Sequence, residues 1–417
     1  MRRITGLFRL NDFRKNTLLS AWSSGINAAG VWLLSVSVAR FLGFEDAGVW
    51  SIATSFTAGL SAVAAFGGDF QISDVERRYS EGTFLLIRFA ACALSLLVFF
   101  ASLPFVNFSA YITISTLIFL FYRFSELTSN VISMPLRFAR RYDIIAISST
   151  IKAVFCFLLP VLAMMFFKLP AVFFCMFFIH AATTFLYDFP NAKKKAVWKN
   201  KIQRELLPPL VKKCLPFIPA NLCSLFIVFY PRYVINARFS TEELGFFASA
   251  TVFLPFISYI IAPLITVVSP EMTEFYFRGD MKNLKRVIIK VFSVILAVST
   301  AVFFVSMAAA KPLLVFMYGK KIISFAYLMP LSMLVAAATI AFGFSSCVLV
   351  SFQNAEKTIW GSMACSMTSA LLSIPMIERW GLAGSCYLWI LIYIIGMIIN
   401  LFFIFKITGK IKYGVRQ

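Results

Sequence analysis

The stretch Glu45-Asp46-Ala47-Gly48-Val49-Trp50-Ser51-Ile52-Ala53-Thr54 returns 197 residues later, position 45 aligning with 242, as Glu242-Glu243-Leu244-Gly245-Phe246-Phe247-Ala248-Ser249-Ala250-Thr251. Glu, Gly, Ala and Thr are identical at four aligned positions, while Asp46/Glu243 and Trp50/Phe247 keep acidic or aromatic character. A repeat of this length reports duplicated architecture and is read before any motif. An acidic pair suits the start of a helix, whose first amides lack partners, and the glycine permits a tight turn or close packing.

The sequence around the two copies is that of a membrane protein. Of 417 residues 60% are hydrophobic, 14% are charged and the mean hydropathy is +0.85, against roughly 45–50% apolar and about 25% charged in soluble domains. Soluble enzymes are excluded. A helix needs about 20 residues to cross the hydrocarbon, and twelve spans are predicted near 16–38, 48–66, 83–103, 111–133, 144–166, 170–188, 214–233, 246–268, 288–310, 325–349, 359–376 and 383–405. The run from Leu18 to Val38 is too long for a signal-peptide core and is followed by Arg40, so it reads as a retained first span. Both copies of the repeat fall at the turn between the first and second span of a six-span half. Six is even, so the halves enter the membrane in the same direction and are related by a pseudo-two-fold axis along its normal, as in transporters with two parallel lobes. The expected organisation is an all-α polytopic protein with lobes 1–190 and 214–417 and a basic linker, 191–213.

Lysines and arginines number 39 against 18 acidic residues. On alternate sides of the span map they divide 28 to 8, with Arg88, Arg123 and Lys152 inside spans. This places both termini and the linker in the cytoplasm. The positive charge is thus topological, and no nucleic-acid partner is expected. The eight cysteines lie in or beside apolar segments without a C-x-x-C pair, and His180 is the single histidine. Metal clusters and His-based triads have nothing to be built from, and no cofactor is expected.

Three features resemble the polysaccharide transporter branch of the multidrug/oligosaccharidyl-lipid/polysaccharide exporter superfamily. They are the turn Arg40-Phe41-Leu42-Gly43-Phe44-Glu45-Asp46-Ala47-Gly48, the segment Pro231-Arg232-Tyr233-Val234-Ile235 leading to Glu243-Leu244-Gly245-Phe246, and Pro270-Glu271-Met272 with Tyr318-Gly319-Lys320. Span count, loop spacing and repeat extend the resemblance over nearly the whole chain. Within that branch the chain is most similar to bacterial O-antigen flippases, and its 48 phenylalanines are in keeping. The resemblance implies a multi-pass inner-membrane flippase that moves undecaprenyl-pyrophosphate-linked repeat units from the cytoplasmic to the periplasmic leaflet by alternating access. Its expected partners are the lipid-linked oligosaccharide, membrane lipids, and a polysaccharide polymerase with its chain-length machinery. One rival is a cation-coupled small-molecule or multidrug exporter of the same architecture, which needs carboxylates for its cationic solutes. Another is a membrane polymerase or glycosyltransferase, which needs a long catalytic loop or clustered carboxylates.

Ionisable groups inside spans are expensive and mark function or helix pairing. Lys152 lies about nine residues into the fifth span, Arg123 and Glu126 share a face of the fourth, and Arg88 is close enough to the cytoplasmic end of the third to snorkel. In one reading Arg123 pairs with Glu126, and Lys152 pairs with Asp69, Asp188 or Glu126, so that the charges hold helices together. In the other, Arg88, Arg123 and Lys152 line a cavity between lobes and attract pyrophosphate. Ser24 and Asn27 in the first span align in the repeat with Asn221 and Ser224 in the seventh. They are read as cavity groups for sugar hydroxyls or as helix-joining polar residues. Prolines 160, 216, 219, 255 and 263 are candidate bends.

Overall fold

The computed structural model of the chain describes residues 10–65, 79–196, 225–254, 268–269, 271–352 and 354–412, with 198, 199, 202, 203, 205, 207, 208, 211 and 223 between them. The described residues form helices and turns and no strand. In chain order the helices are α1 Leu10–Phe41, α2 Phe44–Ala64, α3 Glu81–Ser102, α4 Ala110–Phe138, α5 Tyr142–Met164 and α6 Leu169–Lys195. They continue with α7 Tyr230–Arg238, α8 Thr241–Ala250, α9 Met281–Tyr318 and α10 Leu328–Ser351. The last element, Thr358–Lys412, is broken at Gly381 (φ 59°) into α11 before the glycine and α12 after it. Ten of these helices lie along expected spans with their ends adjusted by capping, whereas α7 and α8 overlap the expected spans 214–233 and 246–268 at one end only, much of both spans lying outside the described residues.

Helix starts follow local chemistry. Ser80, Ser109 and Ser240 accept from backbone amides three residues on, opening α3, α4 and α8. The repeat's acidic pairs sit in the first turns of α2 and α8, where the helix dipole favours them, while the capping oxygen of α8 is that of Ser240. Asp280 caps α9, which begins seven residues before the expected start of that span, and its bonds from the Asn283 backbone and side chain hold its carboxyl below the usual carboxylate range. Gly319 (φ 83°) ends α9, a conformation a side chain resists.

The chain divides into two compact units, Met1–Leu42 with Phe56–Asn221, and Gly43–Ser55 with Leu222–Gln417. In the first, α1 packs along α5, and α4 and α5 pack against α6. Ile132, Leu136, Ile144 and Ala192 form a core cluster near the ends of these helices. The described part of the basic linker is fastened to the start of α3. Lys199 N–H donates to Glu81 (2.8 Å), Ser80 N–H to Gln203 Oε1 (2.9 Å) and Gln203 N–H to Thr83 Oγ1 (2.9 Å). In the second unit α10 packs on α9 and on the α11–α12 element, around Val291, Ile295, Met333, Ile340, Phe344 and Ile404. Leu97, Leu162, Phe178, Phe304, Leu371 and Phe402 remain exposed, the outward apolar surface that a bilayer requires.

The two copies of the repeat meet each other within the second unit. A Cβ on Gly48 would lie 1.9 Å from the Thr241 carbonyl oxygen, and one on Gly245 would lie 1.7 Å from that of Phe44. Positions 44 and 241 are themselves aligned in the repeat, so the two contacts exchange under the alignment. The first turns of α2 and α8 therefore cross with local two-fold symmetry at a distance only glycine allows. Aromatic rings close the crossing: Phe44 lies tilted against Phe246 at 4.1 Å, and Phe246 stacks on Phe325 at 4.5 Å.

Candidate functional site

Lys152, on α5, points into the first unit and is 6% exposed. Its Nζ donates to Asp188 Oδ2 at 2.5 Å and to Ser129 Oγ, on α4, at 2.6 Å, and Ser129 Oγ donates to the same carboxylate oxygen at 3.1 Å. Asp188 is 3% exposed. It ends a π turn, Thr184–Asp188, that interrupts α6 just before Phe189-Pro190. Pro190 has no amide for the Leu186 carbonyl and its ring would collide there, so the wider turn relieves the clash and rotates the helix that follows. Of the two described acids considered for Lys152, Glu126 and Asp188, it is Asp188 that it meets, and Asp69 lies outside the described residues.

A second polar cluster lies along the same helices. Arg123 bonds Glu126 within α4 and donates from Nε to Ser61 Oγ of α2 at 3.3 Å. This pair is about one-third exposed. His180 Nδ1 and Ser125 Oγ are 3.0 Å apart, and the His180 ring meets that of Tyr122 edge-on at 5.7 Å. Arg88 is apart from both clusters: buried at 2% exposure, it donates to the Ala64 carbonyl at the end of α2. It does not snorkel, but satisfies a helix terminus that lacks amide partners. Asn27 is exposed on α1. Asn221, Ser224 and Asp69 lie outside the described residues.

The second unit holds a cation that the sequence reading counted as a flank. A π turn, Leu225–Phe229, precedes Tyr230-Pro231 at the start of α7, and Pro231 leaves the Ile227 carbonyl without its helical donor. Neighbouring side chains take over. Trp389 Nε1 on α12 donates to Ile227 O (2.8 Å), and on α11 Ser369 donates to Phe226 O (2.6 Å) and Ser366 to Cys223 O (3.1 Å). The next residue, Arg232, lays its guanidinium over the Trp389 ring, with Cζ 5.7 Å from the centroid. Among the described residues it donates no hydrogen bond, and its Nε is sealed from solvent. The residue as a whole keeps some accessible surface. A signal existed in the sequence: none of the expected spans of the second half contains a carboxylate, since Glu242, Glu243, Glu271, Glu274, Asp280, Glu356 and Glu378 all fall between them. Glu378 is engaged with Arg238 at 3.0 Å.

Two surface clefts lie elsewhere. One of about 580 Å³ runs along Lys282, Lys285, Arg286 and Lys290 at the start of α9, and one of about 220 Å³ lies beside Tyr230, Tyr233 and Ile374.

No protein-family model matches this sequence, and no curated protein does. Among solved structures the chain is similar to an inward-facing multidrug resistance MATE family transporter of the MOP superfamily, with a TM-score of 0.71 at 14% identity over 96% of both chains. It is also similar to the MATE multidrug transporter DinF-BH in complex with R6G, with a TM-score of 0.69 at 13% identity over 97% of both. A third similar structure, with a TM-score of 0.58 at 13% identity, is a MOP superfamily transporter from Pyrococcus furiosus, covering 96% of this chain and 95% of that one. The fold is that of the MATE transporters.

On that multi-pass membrane fold the charges sort by partner. Each carboxylate described within a span of the first unit, Glu126 and Asp188, is engaged by a cation. A buried ion pair is held by its mutual attraction, and removing one member costs about 3–5 kcal/mol because the other is stranded. Among the described residues Arg232 has no such partner. Withdrawing an ion from water costs several kcal/mol, reduced here because part of the residue remains accessible, and a desolvated cation–π contact returns about 2 kcal/mol. The balance leaves an arginine with donor capacity in hand, suited to an oxyanion.

Proposed function

We propose that the chain is a bacterial inner-membrane flippase that moves undecaprenyl-pyrophosphate-linked oligosaccharide repeat units from the cytoplasmic to the periplasmic leaflet by alternating access. The observation that carries this reading is the charge inventory: the described intramembrane carboxylates are neutralised by pairing, while Arg232 meets no acid among the described residues. An interior with net positive charge favours pyrophosphate and disfavours a cationic solute. The pyrophosphate and sugars pass through the protein while the polyprenyl tail stays in lipid. A periplasmic polysaccharide polymerase with its chain-length machinery would consume the product.

A cation-coupled small-molecule exporter is the second reading, and the similarity to MATE multidrug transporters, one of them in complex with R6G, favours it. The Pyrococcus furiosus transporter bears on the choice, since the reverse polarity of its binding pocket is taken to suggest a different function. Pocket charge is thus the variable that separates solutes on this fold. The test is complementation. Expressed in a strain lacking its O-antigen flippase, and with its own repeat unit supplied, the chain should restore surface polysaccharide and leave rhodamine 6G resistance unchanged in a drug-sensitive strain. Raised resistance without polysaccharide would transfer the assignment to the exporter.

A further inference from the structure

We infer that Arg232, laid on Trp389, is a binding residue for a phosphate oxyanion in the half of the second unit that the charge count assigns to the periplasmic side. The inference rests on the flippase reading for the identity of its ligand, but its geometry stands on the second unit alone.

The site is built from both sides. Trp389 is fixed: its indole N–H is spent on Ile227 O at 2.8 Å, and Phe247 packs on it with centroids 5.5 Å apart. That carbonyl is available because Pro231 cannot donate to it, so the proline that opens the helix also sets the platform on which its neighbour Arg232 lies, 5.7 Å from the ring centroid. The contact with the ring engages the cation's charge and uses none of the guanidinium's N–H groups, which stay available to acceptors. The Arg232 Nε is buried without an acceptor among the described residues, and the stretches of the second half outside them, 212–222 and 255–267, contain no carboxylate. An acid in reach would make this a structural pair like Lys152–Asp188.

The depth is also specified. Arg232 is six residues from Arg238 at the end of α7, about 9 Å at 1.5 Å per residue. Trp389 is eight residues from the Gly381 break, and the Arg238–Glu378 pair joins the ends of α7 and α11 at that level. A phosphate held there has passed the midplane, which is where a translocated headgroup must be received before release. The ligand chemistry is a phosphate or pyrophosphate ester, carried either by the polyprenyl substrate or by an anionic phospholipid headgroup.

The test uses the purified full-length chain in detergent, as wild type, Arg232→Gln and Arg232→Lys, titrated with farnesyl pyrophosphate, dihexanoyl phosphatidylglycerol and rhodamine 6G. Farnesyl pyrophosphate should bind the wild type, Arg232→Gln should raise its Kd at least tenfold, and Arg232→Lys should raise it less, while the unliganded melting temperature of the Gln variant stays level or rises. Equal Kd in wild type and Arg232→Gln overturns the inference and leaves the flippase reading standing. Arg232-dependent binding of phosphatidylglycerol alone supports an oxyanion site that takes lipid, and removes this site from the case for a flippase. A wild type that binds rhodamine 6G and neither phosphate ester overturns both. Should the Gln variant not fold, phenylglyoxal labelling of the wild type decides: farnesyl pyrophosphate should protect Arg232 and not Arg238, and absence of protection sinks the proposal.

Discussion

Lys152 and Asp188 are nine-tenths buried and share Ser129, so deleting one charge and deleting both are different experiments. Lys152→Ala strands a buried carboxylate and should cost about 3–5 kcal/mol, seen as lost membrane abundance and a lower melting temperature. Lys152→Met with Asp188→Leu removes the pair at similar volume and should recover most of that loss. If the pair only ties α5 to α6, the double variant also restores surface polysaccharide; a folded, abundant double variant without transport would show that the charges act on the substrate. Glycine supplies the other single-residue test. Gly48→Ala and Gly245→Ala each place a methyl within 2 Å of a carbonyl oxygen, which no rotamer can relieve because the clash is with backbone. Each should destabilise by about 1–3 kcal/mol through overpacking, with the two effects coupled and not additive because both act on one crossing. A thermal melt of the two single variants and the double variant measures this.

Between residue and fold stand the two π turns, each followed by a proline, and they decide which side chains become neighbours. Their effect was the least legible part of the sequence. The composition around Lys152 offered three acids; choosing Asp188 requires the rotation of α6, which depends on one extra residue in the turn before Pro190. Arg232 sits at the edge of an apolar run and so counts as a flank, and its platform, Trp389, is 157 positions away in the chain (232 to 389). Prolines alone did not locate the breaks: Pro160 lies inside an uninterrupted α5, and Pro216, Pro219, Pro255 and Pro263 fall outside the described residues. Pro231→Ala returns an amide to the Ile227 carbonyl, where it competes with the Trp389 indole. The variant should keep its abundance, shift its tryptophan emission and lose most of its transport; unchanged emission with full transport would mean the π turn persists without the proline and does not set the platform.

Across the molecule, what the sequence could show was what the bilayer demands. Twelve runs of about 20 apolar residues were readable because hydrocarbon tolerates no unsatisfied backbone; ten of them carry a helix along their length, and the runs 214–233 and 246–268 are described only in part. The repeat showed that Gly48 and Gly245 are equivalent, though not that each packs against the other's helix start, since a periodicity in sequence carries no distance. Orientation rests on the charge count, which sharpens once Arg232 is moved from a flank into α7: 28 lysines and arginines on one side and 7 on the other. We propose from this imbalance over short loops that the basic side faces the cytoplasm and that, with an even number of spans, both termini lie there. Green fluorescent protein fused after Lys195 or after Gln417 should therefore fluoresce, and alkaline phosphatase at the same points should be inactive. The two positions test separate links. Phosphatase activity at Gln417 alone would require an odd number of spans in the second half, whereas activity at both would invert the whole map and place Arg232 toward the cytoplasm, where it would meet the substrate on entry and not on release.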